Sequence, residues 1–315
     1  MKKILIIRLS SLGDVVLASS VIEPLYNAGF EIDFLTFKPF DELFIKDYRV
    51  NKVIAVSKEN LKSIKDIYNF SKNLKYDYIL DIHFNLRSVL ISLFAKGKVL
   101  RYNKESIKRR LKILNPDFNV VKAYLKPLES LGIKGDYRPK IILEKEEIEK
   151  LKKILPENFI AVGVGARYKN KIYPYFKEFI NLIKDENVVL VGSKEDKDLF
   201  EINQKNVIDL RGKLTIRESL AVISLAKGVV SNDSAIAHFA RAVKTPVLVI
   251  YGATHPYFGF APFKEEGDFI FKGLECQPCD LHGKGSCKRG DLACLDIKPE
   301  YILERFNNML KERLS

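Results

Sequence analysis

The chain has 315 residues, 47% of them hydrophobic, with 53 Lys and Arg against 40 Asp and Glu and a formal net charge of +13. At ~150 residues per domain this is room for about two domains, and the apolar content excludes a disordered chain. The basic balance points to an anionic partner, whether nucleic acid, membrane surface or phosphorylated substrate, and does not choose among them.

The first twenty residues, MKKILIIRLSSLGDVVLASS, imitate a secretion signal. Arg8 interrupts the apolar core after four residues and Asp14 interrupts it again. No run of 18 apolar residues exists, so no transmembrane helix is expected. The reading is a cytoplasmic protein that rests at most on the inner face of a membrane. Beyond that point, short apolar runs alternate with helical patterns. Strands are predicted over Lys3–Arg8, Ile32–Thr36, Lys52–Val56, Tyr78–Ile82 and Lys98–Tyr102, with helices over Asp14–Asn27, Asn60–Leu74 and Leu86–Phe94. Around Lys140–Pro156 the pattern changes to a short strand, a charged helix and a proline stop. Alternation then restarts, with strands over Phe159–Gly165, Asn187–Val191, Val207–Asp209, Gly228–Ser231 and Val247–Tyr251. Helices are expected over Tyr175–Lys184, Asp196–Asn203, Ile216–Leu225 and Ser234–Val243, and a last amphipathic one over Pro299–Arg313. Strand–helix alternation of this kind means βαβ units and mainly parallel sheets, hence two facing Rossmann-like α/β domains.

The first strand runs into Arg8, Ser10, Ser11, Gly13 and Asp14. Ligands of open α/β sheets bind outside the carboxyl ends of strands, which is where this cluster falls. Asp14 has two readings. It is a helix cap, a role Ser10 or Ser11 also fits, or it is a carboxylate set to take a proton from a substrate hydroxyl. Gly13 would let a substrate approach the backbone closely. The dinucleotide fingerprint G-x-G-x-x-G is missing, which argues against hydride transfer. A second cluster, SNDSAIAHFARAVKTPVLVIYGATHP, follows the strand at Gly228. Asp233 or Ser234 can cap its helix, and the free N–H groups of Ser234 and Ala235 make an anion site with the helix dipole behind them. His238 lies one turn in.

Taken together, IRLSSLGDVVLASSVI and SNDSAIAHFARAVKTPVLVIYGATHP resemble the ADP-heptose:lipopolysaccharide heptosyltransferases of glycosyltransferase family 9. Gly252, Thr254 and Pro256 match the family's Gly-x-Thr-x-Pro turn. The resemblance implies a GT-B fold with the active site in the cleft between domains. Residues 1–155 would bind the acceptor and 156–298 the nucleotide-sugar, and the helix of 299–315 would return to pack on the first domain. It implies an inverting transfer of heptose from ADP-heptose, or a related nucleotide-sugar, to the lipopolysaccharide inner core. Asp14 matches the catalytic base. Lys171, ahead of Tyr173 and Pro174, matches a lysine that contacts the diphosphate, with Lys169 and Arg167 as neighbours able to substitute. Gly13, Asp233, Ser234, Ala235 and His238 join Lys171 on the donor side, and Glu195 is the choice for a ribose hydroxyl, with Asp196 one residue away. Asp196 and Asp198 read as solvated helix-start charge and not as metal ligands, so no metal is expected in catalysis.

Acceptor recognition is expected from Ser10, Ser11 and Arg87, and from the basic stretch that holds Arg101, Arg109 and Arg110. A solvated helix face is the alternative for that stretch. Arginine forks suit the carboxylates and phosphates of the lipopolysaccharide core. Nucleic acid is not expected, since neither stacking platforms nor a known module are evident. The four cysteines, Cys276, Cys279, Cys287 and Cys294, have the spacing C-x2-C-x7-C-x6-C. A structural metal, two disulfides and free thiols all stay open for them. A non-catalytic sugar-nucleotide-binding protein on the same fold is the rival from another class.

Overall fold

The computed structural model describes residues 1–315 apart from 106, 109, 110, 114, 314 and 315. The chain divides into two compact units. The first holds Met1–Glu105 and Val120–Ile142, the second Ser106–Asn119 and Leu143–Ser315.

In the first unit, β1 (Lys3–Ile7), β2 (Glu31–Phe37), β3 (Lys52–Val56), β4 (Lys75–Asp81) and β5 (Lys96–Arg101) form one sheet in the order β3-β2-β1-β4-β5. Every pairing is parallel. A parallel sheet is covered on both faces, so its central strands are almost wholly apolar. In β1, Ile4, Leu5, Ile6 and Ile7 are all fully buried. Strand order reverses between β1 and β4, and the register sets Ile7 opposite Asp81. The segments after these two strands therefore leave the sheet at one level. The helix predicted over Asp14–Asn27 is broken. Helix α1 (Leu12–Ala18) passes through a 3-10 turn, Ser19–Val21, into α2 (Ile22–Asn27). Pro24 has no N–H to donate to the carbonyl four residues back, which interrupts the ladder there. Helices α3 (Ile64–Ser71) and α4 (Leu86–Phe94) follow β3 and β4, and α5 (Val120–Leu125) completes the unit.

In the second unit, β6 (Phe159–Gly163), β7 (Asn187–Val191), β8 (Val207–Asp209), β9 (Gly228–Asn232), β10 (Val247–Tyr251) and β11 (Gly267–Phe271) form a parallel sheet in the order β11-β10-β9-β6-β7-β8. Here the reversal lies between β6 and β9. Its helices are α6 (Lys145–Lys152), α7 (Phe176–Leu182), α8 (Ile216–Leu225), α9 (Ala235–Ala242) and α10 (Pro299–Lys311).

Several expectations need correction. The short strand expected at Lys140 is irregular chain outside both sheets. The helix expected over Asp196–Asn203 is only a 3-10 turn, Glu195–Leu199. Strand β11 was not expected, because GDFIF is short and opens on Gly and Asp, both poor strand formers. The compact units divide between Ile142 and Leu143, which puts α6 in the second unit. Glu147 of α6 forms a two-pronged ion pair with Arg217 of α8, both bonds at 2.6 Å. The last helix belongs to the second unit. Its stripe of Ile302, Phe306 and Met309 is buried in the second core, with Tyr173, Phe176 and Leu295. Gly228 shows how close that contact is, since a Cβ there would come within 2.9 Å of the Phe306 ring.

Candidate active site

Each sheet carries a polar cluster where its strand order reverses, the place where open α/β sheets bind ligands. In the first unit the cluster is built on Arg8, the residue after β1. Its guanidinium donates to the Ile82 carbonyl at 2.6 Å, so it bridges the segments that follow β1 and β4. It lies over the Tyr124 ring at 5.5 Å and pairs with Asp14 Oδ1 at 2.7 Å. Ser11 is the N-cap of α1, and Asp14 is the third residue of that helix. Asp14 Oδ2 accepts from Ser11 Oγ at 2.7 Å and from Ser11 N at 3.2 Å. Asp14 is therefore no N-cap, yet it does serve the helix start. The contacts with Arg8 and Ser11 hold its carboxylate at the start of the helix. The acid is the more open partner, 20% exposed against 8% for Arg8.

His83 stands beside this pair. Burial first, and then the charge of Arg8, push its imidazole down to about 3. Asn85 Oδ1 accepts from Ser88 N at 2.9 Å, which turns the amide nitrogen to His83 Nε2 at 2.6 Å. The ring is thus neutral, with its proton on Nδ1. Arg101, expected to read an acceptor, has partners within its own unit. It donates to Ser92 Oγ at 2.6 Å and reaches Asp81 Oδ2 at 3.5 Å. Arg87 donates to the Leu61 carbonyl at 2.8 Å and lies over Phe37. Arg109 and Arg110 lie outside the described residues. Ser10 is half-buried, and Gly13 is buried in α1 beside Asp14, in the unit opposite to the other donor-side candidates.

The cluster of the second unit has the same chemistry with the roles reversed. Lys171 Nζ pairs with Asp233 Oδ2 at 2.7 Å, and the Thr254 hydroxyl donates to the same oxygen at 2.7 Å. Burial works to raise the Asp233 carboxyl, but the charge and hydrogen bond of Lys171, then Thr254 and His238, hold it below the usual carboxylate range. Here the cation is the more open partner, 15% exposed against 11%. Asp233 ends the turn after β9, and Ser234 caps α9. The first amides of α9 have no acceptor within the helix and face outward with the positive end of its dipole. His238 is buried one turn in, its ring 6.2 Å from Phe260. The approach of α9 to β6 requires Gly163, where a Cβ would lie 2.6 Å from Ile236.

Sequence reasoning missed the residues that hold this cluster in place. Asn232 Oδ1 accepts from Tyr173 N at 2.9 Å, and its amide donates to the Val164 carbonyl at 2.8 Å. It so ties the lysine loop to the end of β6. Asp196 was read as solvated charge. Its carboxylate instead fills the space between Gly165 and Gly192, where added Cβ atoms would lie 2.1 and 2.5 Å away, and it accepts from Ser193 N at 2.7 Å. Glu195 is exposed, its carboxyl held low by its own and Ser193's hydrogen bonds. Arg167 and Lys169 are exposed as well.

All four cysteines are free thiols, and among the described residues no group of three His, Cys, Asp or Glu is arranged to hold a metal ion. Burial and the neighbouring thiols push Cys294 up to about 11. Their loop underlies the lysine cluster. Cys279 N donates to the Ala253 carbonyl at 2.8 Å, and Asn170 donates to the Gly285 carbonyl at 2.5 Å. Gly283, at φ +73°, lies against the Lys171 stem, where a Cβ would come within 2.7 Å of Cγ. Cavities of about 300 and 690 Å3 elsewhere on the surface include neither ion pair.

Comparison with known proteins agrees on one family. The profile of glycosyltransferase family 9 (heptosyltransferase) matches residues 70–285. A lipopolysaccharide heptosyltransferase 1 from Campylobacter coli is 27% identical over 294 residues, covering 81% of this chain and 85% of that protein. The crystal structure of a family 9 glycosyl transferase from Veillonella parvula superposes with a TM-score of 0.79 at 18% identity, covering 99% and 98% of the two chains. An Escherichia coli heptosyltransferase solved with ADP-2-deoxy-2-fluoro heptose superposes at 0.70 and 18% identity, covering 97% and 99%. Likeness at this level shows the fold, which is GT-B.

Proposed function

We propose, from the premise that this chain belongs to glycosyltransferase family 9, that it transfers heptose from ADP-heptose to the inner core of lipopolysaccharide with inversion. The observation that carries this reading is the reversed pairing of the two clusters. One presents a carboxylate held by a buried arginine, and the other presents a lysine held by a buried aspartate. A glycosyl transfer needs one of each, a base for the acceptor hydroxyl and a cation for the departing diphosphate.

In the reaction, the acceptor oxygen attacks the anomeric carbon on the face opposite the diphosphate. The C–O bond to the diphosphate breaks, ADP departs with the electron pair, and Asp14 takes the hydroxyl proton. Lys171 and the amino end of α9, at Ser234 and Ala235, stabilise the charge that grows on the leaving group. They supply the positive charge that a metal supplies in other transferases, so no cofactor is required. Asp233 and Thr254 act on Lys171, and Arg8 and Ser11 act on Asp14. The turn of Glu195 and Asp196 receives the ribose, and His238 joins the donor side from α9, close enough to Asp233 to act on its charge. Ser10, Ser11, Arg87 and Arg101 belong to the unit that carries Asp14, and the carboxylates and phosphates of an acceptor match the charge of these arginines and of Arg109 and Arg110. A donor panel assayed on truncated lipopolysaccharide acceptors tests the reading. ADP release that depends on acceptor and on ADP-heptose supports it. Turnover with a different nucleotide-sugar would reassign the donor, and donor binding without turnover on any acceptor would make the chain a binding protein.

A further inference from the structure

Helix α3 leaves Ile64 and Tyr68 64% and 48% exposed, one turn apart on one face. The neighbouring α4 leaves Leu86 and Leu93 77% and 68% exposed. Leu90, partly buried, lies on the same side of α4 between them. The two helices meet where the Tyr68 and Phe94 rings pack edge to face, 5.4 Å apart. Together they form an apolar strip, and contiguous strips of this kind on a soluble protein mark contact sites. Exposed lysines flank it, with Lys62 and Lys65 at its start and Lys72 over the Tyr68 ring at 5.3 Å. The strip also begins at the edge of the acid cluster, since α4 starts three residues after His83.

We propose that this α3–α4 face lies on an anionic lipid bilayer, with its apolar side chains in the acyl boundary and its lysines at the headgroups. The inference rests on the proposed transfer to a lipid-anchored acceptor. A substrate whose sugar reaches Asp14 while its lipid stays in the membrane needs a membrane-facing surface next to that acid. The strip is next to it in the same unit. Cationic charge beside insertable apolar groups is what an anionic surface binds, and neither part alone suffices.

Sedimentation with vesicles of phosphatidylcholine, with and without phosphatidylglycerol, tests this without any transfer step. The expected result is co-sedimentation that needs phosphatidylglycerol and weakens with salt. Ile64→Gln combined with Leu93→Gln is expected to lower binding by roughly tenfold or more, since two insertable side chains are lost. Transfer to a deacylated, soluble acceptor stays at the wild-type rate in this variant, which shows that it folds and separates the surface from the chemistry. Lys62→Gln combined with Lys65→Gln is expected to remove the preference for phosphatidylglycerol. Wild-type protein that stays in the supernatant would overturn the proposal, as would a double glutamine variant that binds vesicles as well as wild type. A wild-type dimer that the same variant dissociates would assign the face to a second copy. If the soluble-acceptor assay shows no transfer while vesicle binding holds, the functional reading fails and the surface stands.

Discussion

The two strand-order reversals of this protein hold the same kind of pair, an acid and a base 2.7 Å apart, and present opposite members of it. In the first unit the cation is the anchor. Arg8 is fixed by the Ile82 carbonyl and the Tyr124 ring, and Asp14 rides on the first turn of a helix. In the second unit the acid is the anchor. Asp233 is fixed by Thr254 below the start of α9, and Lys171 reaches it from a loop. Which member reaches solvent depends on which residue the backbone plants in the interior. Composition is nearly the same at the two places, and the member that reaches solvent differs because burial does.

The comparison breaks most sharply at Asp14. Asp14→Asn keeps the shape and a hydrogen bond but cannot take a proton, so turnover should fall by roughly 10²–10⁴-fold. ADP affinity, measured by calorimetry, should hold. Turnover near the wild-type level would reduce Asp14 to a helix-start residue, whose loss typically costs ~1 kcal/mol of stability. Lys171→Ala should act on the other half. It removes a charge-assisted contact, a change of roughly 10–100-fold in ADP affinity, with an added loss in kcat because the leaving-group charge grows in the transition state. Unchanged ADP affinity and kcat would move the contact to Lys169 or Arg167.

Arg8→Met sharpens the contrast between holding and reacting. The ion pair at 2.7 Å holds the Asp14 carboxylate, so its loss should lower kcat while ADP affinity holds. An equal loss of ADP affinity would mark a general defect of the fold. His83, neutral with a value of about 3, should add no limb to the pH dependence of kcat/KM between pH 5 and 8. The smallest effect is on stability. The Asp233 carboxyl is held below its ordinary value, so its contribution is complete above the unfolded value of about 3.9 and fades as pH falls through the lower folded value. Asp233→Asn should therefore flatten acid unfolding of the second unit below about pH 4, read by circular dichroism. Wild-type acid sensitivity in that variant would show that other carboxylates govern the transition.

The sequence by itself determined the alternation of strands and helices, because parallel strands buried on both faces must be continuous apolar runs, as in KILII and VLVIY. It also put Asp14 and Asp233 in the turns after β1 and β9, since turns at strand ends are short and local, whereas Lys171 stood out only through the family resemblance. Only the tertiary structure decided what these residues do to one another. The Arg8 bridge to Ile82 spans 74 positions and Tyr173 to Asn232 spans 59. No local pattern encodes such pairs. The same reason hides other contacts. Asp196 looks like surface charge until Gly165 and Gly192 are brought against it, and nothing in the sequence signals that Arg101 meets Asp81 and Ser92. The last helix is amphipathic in the sequence, but an apolar stripe does not name its partner. Burial of Phe306 against the second core names it, because packing is a property of surfaces that meet only after the chain has folded.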